Sequence, residues 1–151
     1  MKVFLDTNVI MEFLSKRKLY MLVWIIIRST EKEHIEKCIS ACTFDTLVYL
    51  LGIELKKKGI HEPEKREKTR DLLNALLDNV KVIDINDDTL RLALNDEHFT
   101  DIEDAIQYYC ALENNCDCLI TINGNHFKNA DKGLEVLDPA EFVNKYIVIE
   151  D

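Results

Sequence analysis

Three separated segments carry side chains that could share one piece of chemistry. Asp6 follows the apolar run Val3-Phe4-Leu5 and precedes Thr7-Asn8 and an apolar-periodic stretch. A carboxylate at a strand-to-helix junction has two readings. It is a good N-cap, worth about 1 kcal/mol, and it is a hard oxygen ligand for a divalent cation whose other ligands come from elsewhere. Thr7 or Asn8 could cap equally well, so the first role does not require an acid. The second segment is Thr100-Asp101-Ile102-Glu103-Asp104. Thr100 and Glu103 have the spacing of a capping box, which accounts for Glu103. Acids in a first helical turn also suit the helix dipole. Asp101 and Asp104 share a face, with Glu103 turned about 100° away. Two such carboxylates repel unless they are solvated or bridged by a cation. Mg²⁺ suits that arrangement, since it typically takes one or two carboxylates together with water and substrate phosphate. In the third segment, Thr121 to Phe127, Asn123 and His126 follow an apolar run. Asn-Gly there is a turn signal, and His126 reads as a surface histidine or as part of a site.

Composition narrows the class. The chain has 151 residues, 47% of them hydrophobic and 31% charged, which fits one domain, 1–151, with a substantial core. A net charge of −9 disfavours binding nucleic acid through a broad basic surface. It leaves room for an enzyme that draws a phosphodiester to a bound cation. The longest apolar run, Leu19 to Ile27, falls short of the roughly 18–20 residues of a membrane span. Asp6 interrupts any secretory apolar region. A cytoplasmic protein without membrane association is expected. The five cysteines are odd in number and irregular in spacing, and they read as small core hydrophobes. No Gly-rich phosphate loop, G-x-S-x-G elbow or H-E-x-x-H helix is present.

The elements that must position these residues follow from periodicity and punctuation. Strands are expected over 2–5, 36–40, 80–85, 118–121 and 134–137. Helices are expected over 7–17, 18–33, from Thr43 to a stop at Gly59, and over 64–79, 87–95, 100–115 and 138–147. Asp138 should cap the last helix, with Pro139 at its first position. Short strands alternating with helices predict parallel pairing with helices on both faces. Sites in such sheets form beyond the carboxyl ends of the strands, where Asp6, the Asp101/Asp104 pair and Asn123 would meet. The wide apolar face at 19–27 is core or a surface for a partner or a second copy.

Four motifs in order, "VFLDTNVIMEFL", "ISACTFDTLVYLL", "TDIEDAIQYYCALENNCDCLITINGNHF" and "LEVLDPAEFV", resemble the PIN domain, the nuclease fold of many bacterial toxin–antitoxin toxins. The resemblance covers nearly the whole chain. It implies a three-layer α/β/α fold around a mostly parallel sheet of four to five short strands. It makes Asp6 the first acid, Asp104 the third and Asp101 the extra acid of a D-x-x-D variant, around Mg²⁺ or Mn²⁺, with Asn8 supporting Asp6. Two departures stand out. The position of the second acid, usually Glu, falls on Thr46, and the adjacent Asp45 points about 100° away on a helix. The closing motif commonly has a basic residue after its threonine and an Asp before its phenylalanine, where this chain has Ile122 and His126. Asn123 holds a place often taken by an acid or amide.

The resemblance implies a divalent-metal-dependent endoribonuclease acting on single-stranded RNA, the toxin of a pair with an antitoxin protein, with a homodimer open. Thr46 in place of Glu motivates the other reading, a degenerate module that binds RNA or a protein without cutting.

Overall fold

The computed structural model describes residues 1–29, 34–130 and 133–147. Five short strands, β1 (Lys2–Leu5), β2 (Glu36–Ser40), β3 (Lys81–Ile83), β4 (Cys118–Ile120) and β5 (Glu135–Leu137), form one sheet in the order β3-β2-β1-β4-β5. Every neighbouring pair is parallel. Seven α-helices connect them among the described residues: α1 (Thr7–Leu14), α2 (Tyr20–Arg28), α3 (Ala41–Lys57), α4 (Glu64–Leu77), α5 (Asp87–Asn95), α6 (Ile102–Glu113) and α7 (Pro139–Tyr146).

The middle strand shows why the layers form. Val3, Phe4 and Leu5 are all fully buried, yet successive side chains of a strand point to opposite faces. Val3 and Leu5 enter a core with Ile10, Ile26, Leu47, Leu76 and Phe142, which come from α1, α2, α3, α4 and α7. Phe4 enters a second core with Ala93, Tyr108 and Phe127, supplied by α5, α6 and the 3₁₀ turn Gly124–Phe127. The result is the expected three-layer α/β/α arrangement, with a sheet that is wholly parallel.

Several element ends differ from expectation for local reasons. Helix α1 stops at Leu14, and Lys16 takes a positive φ of 48° that ends the helical path. Helix α3 starts at Ala41 instead of Thr43, because Ser40 caps it by accepting from the Thr43 amide at 3.0 Å. Its C-cap is Lys58, and Gly59 follows at φ 78°, a left-handed conformation that favours glycine. Residues 30–33 of the expected second helix lie outside the described residues. In α2, Val23, Ile26 and Ile27 are core, which leaves Met21 and Trp24 as the exposed remainder of the apolar 19–27 face. Helix α7 carries the full capping box between Asp138 and Glu141, with Pro139 at its start. Among the described residues no helix is long and apolar enough to cross a membrane.

Candidate active site

Asp6 sits between the end of β1 and the start of α1 and is only 5% exposed. It turned out to be the cap and to face the cleft as well. Its Oδ1 accepts from the Thr7 amide at 2.8 Å and from the Gln107 amide nitrogen at 3.4 Å. Its Oδ2 accepts from the Thr121 hydroxyl at 2.8 Å and from Asn8 Nδ2 at 3.2 Å. Burial pushes the carboxyl above its ordinary pKa, and hydrogen bonds from Thr121, Thr7, Gln107 and Asn8 act in the opposite direction. Asn8 thus bonds Asp6 through Nδ2, and its Oδ1 also accepts from the Ile122 amide at 3.3 Å. Thr121 in turn accepts from the Asn123 amide at 3.1 Å. The two residues flanking the strand ends are thus locked together across β1 and β4.

Behind Asp6 lies a buried polar cluster. Gln107 of α6 is 2% exposed. Its amide nitrogen donates to Thr43 Oγ1 at 2.6 Å and Thr7 Oγ1 at 3.2 Å, and its oxygen accepts from Ser40 Oγ at 2.7 Å. Thr7 and Thr43 hydroxyls also meet at 3.0 Å. Every member has a partner, as buried polar groups require, so α1, α3 and α6 are pinned around one carboxylate. Sequence reasoning passed over Gln107 and Thr121. A polar residue inside the otherwise apolar, fully buried stretch of α6 was the signal that could have found Gln107.

The acids of α6 are arranged differently from expectation. Thr100 does not begin a capping box with Glu103. Asp101 is the N-cap, in extended conformation, and its Oδ1 accepts from the Glu103 amide at 2.8 Å. Asp is as good a cap as Thr and sits one residue closer to the first helical turn. Glu103 is thereby released from the capping role and lines the same cleft as Asp6, Asp101 and Asp104. Burial, then the charges of Asp101, Asp6 and Asp104, raise its pKa. Asp104 is raised first by burial and then by Asp6 and Asp101, while a hydrogen bond from His126 lowers it. That bond joins His126 Nδ1 to Asp104 Oδ2 at 2.8 Å. Carboxylates that raise one another's pKa lie in a shared field, which marks a functional-site candidate.

These segments line one cleft of about 400 Å³ with Thr7, Asn8, Met11, Arg17, Thr46, Leu50, Asn123 and His126. Asp6, Asp101, Asp104, Asn8, Thr46 and Asn123, the residues expected to form the site, all lie there. Asp45 is exposed and lies outside this lining. Arg17 brings a cation, held by Glu54 Oε1 at 2.8 Å. Among the described residues no three His, Cys, Asp or Glu side chains stand close enough to hold one ion between them. The donors are carboxylates and amides, the hard oxygen set that suits Mg²⁺ or Mn²⁺. A site of this kind uses few protein ligands and completes its sphere with water.

The model of the PIN domain family matches residues 2–125, and the chain belongs to that family. Among solved structures, it is similar to VapBC-1 from nontypeable Haemophilus influenzae at TM-score 0.67 and 18% identity, covering 93% of this chain and 99% of that one. VapBC2 from Rickettsia felis, bound to a DNA fragment from its promoter, matches at TM-score 0.65 and 16% identity, over 91% and 98%. VapC20 from Mycobacterium tuberculosis, a toxin that cleaves the sarcin-ricin loop, matches at TM-score 0.61 and 13% identity, over 88% and 98%. At such identities the likeness concerns the fold. No curated protein matches the sequence.

Proposed function

We propose that this chain is a divalent-metal-dependent endoribonuclease that cleaves RNA phosphodiester bonds, the toxin of a toxin–antitoxin pair. The observation that carries the reading is that Asp6, Asp101 and Asp104 line one cleft at the carboxyl end of a parallel sheet. An Mg²⁺ or Mn²⁺ ion held there would supply Lewis-acid chemistry, activating water and offsetting charge on the phosphate. Asp6, Asp101 and Asp104 would hold the ion largely through its coordinated water. Asn8, Thr121 and Gln107 keep Asp6 in one orientation. Asn123 offers an amide to a ligand water or to the phosphate, and Arg17 supplies a positive charge to the RNA backbone. Its structural neighbours include a toxin–antitoxin complex from Klebsiella pneumoniae, which supports an antitoxin as partner.

The test is calorimetric titration of Mn²⁺ into the purified protein, alongside an Asp6→Asn/Asp104→Asn double variant and a single-stranded RNA cleavage assay. Saturable binding and cleavage, both lost in the double variant, are expected. Cleavage that survives in Asp6→Asn sinks the assignment. The second reading, a module that binds RNA or protein without cleavage, rests on Thr46 occupying the cleft where the resemblance puts an acid. Robust wild-type turnover removes it.

A further inference from the structure

Three exposed apolar side chains stand beside the acidic cleft, each on a different segment. Tyr49 on α3 is 69% exposed. It follows Thr46 by three residues and precedes Leu50, and both of those line the cleft. At about 100° per residue it stands about 60° around the helix from Thr46, on the cleft's rim. Among the described residues its hydroxyl makes no hydrogen bond and its ring stacks on no other. Ile102, 58% exposed, opens α6 between the cleft residues Asp101 and Glu103. Ile122, 37% exposed, lies between Thr121 and the cleft residue Asn123, and its amide is held by Asn8. Scattered singly over a surface, such residues are ordinary. These three come from separate segments to one rim.

We propose that this rim grips RNA by its bases: Tyr49 stacks on one base, and Ile102 and Ile122 give apolar contact to its neighbours. The inference rests on the ribonuclease reading above. The charges decide between base and backbone. Asp6, Asp101, Glu103 and Asp104 line the cleft, and its arginine, Arg17, is already paired with Glu54. Phosphates along the rim meet a field of their own sign, so little attraction is left for the backbone. The bases of a single strand, in contrast, leave their faces free, and every base has a face that stacks on an aromatic ring. A duplex hides those faces. The rim therefore selects single strands, whatever their sequence.

The experiment is fluorescence anisotropy with labelled phosphorothioate RNA of mixed sequence, offered as a single strand, as a duplex and as an abasic chain of equal length. The proteins are the wild type, Tyr49→Ala, Tyr49→Phe and Ile102→Ser. Both sites are exposed, so the substitutions leave the core untouched. The proposal expects the single strand to bind about tenfold or more tightly than the duplex or the abasic chain. Tyr49→Ala removes most of that margin, Ile102→Ser part of it, and Tyr49→Phe keeps it. Equal affinity for all three ligands, or a margin that Tyr49→Ala leaves unchanged, overturns the base grip. The acidic site still stands in that case if the wild type cleaves RNA and Asp6→Asn does not. Sedimentation of the same variants covers the other occupant: a wild-type dimer that Tyr49→Ala turns into a monomer makes the rim a contact between copies and overturns the proposal. A wild type that neither binds nor cleaves RNA overturns both readings.

Discussion

Glu103 lies among Asp6, Asp101 and Asp104 without a capping role to occupy it. Its folded pKa is raised above the unfolded value of about 4.3. The folded state therefore holds the Glu103 proton more tightly, and the stability this group contributes at low pH is lost as pH rises through the folded pKa. Glu103→Gln lacks that loss. In metal-free buffer its urea midpoint should exceed that of the wild type at pH 7, and the gap should close as pH falls below about 4. A variant less stable than wild type at pH 7 would contradict this account of the cleft. Gln107 presents the opposite case, a buried polar group with every partner in place. Gln107→Leu takes one hydrogen-bond partner each from Thr43, Ser40 and Thr7. It should cost about 1–3 kcal/mol in equilibrium unfolding, with weaker Mn²⁺ binding as Asp6 loses one of its supports. The acids at positions 6, 101 and 104 were legible because each adjoins a strand end or helix start with a recognisable local pattern. The Asp104–His126 bond was not, since 22 residues separate its members and no periodicity links them.

Helix α3 delivers Thr46 to the cleft and turns Asp45 away from it. The helix frame that Ser40 and its bond to Thr43 establish thus already aims position 46 at the acids. Thr46→Glu should raise Mn²⁺ affinity roughly tenfold, because each added carboxylate strengthens a hard cation site; calorimetry reads it directly. An unchanged affinity would mean that α3 stands too far from the ion to take part. At this scale much was readable in the sequence. All five strands and the described helices fall where apolar runs, helical spacing and punctuation put them, because strands covered on both faces leave short apolar runs and amphipathic helices leave a period of 3.6. Ends were harder. At the α6 start two capping patterns compete within one stretch, Thr100 with Glu103 and Asp101 alone, and local sequence does not rank them. In α2 the breadth of the apolar face hinted at a partner surface. Contact with α1 and α7 uses most of it, something only the packing of the whole layer decides.

Across the molecule the net charge is −9, and Arg17 is the cleft's arginine. RNA held in the proposed way should therefore depend weakly on monovalent salt and strongly on Mn²⁺. For a single strand the slope of log affinity against log salt is about −0.7 for each phosphate neutralised. A slope shallower than about −2 is expected from filter binding or anisotropy with a non-cleavable RNA. A steep slope without metal dependence would point to a basic surface elsewhere.

The strand order has a consequence in time. β1 is made first, but its neighbour β4 and the Thr121 hydroxyl that fixes Asp6 come from 115 residues further along. Pairing that remote in sequence is slow to form. A ribosome has thus released nearly the entire polypeptide before the first carboxylate can be seated, so the cleft is completed only as synthesis ends.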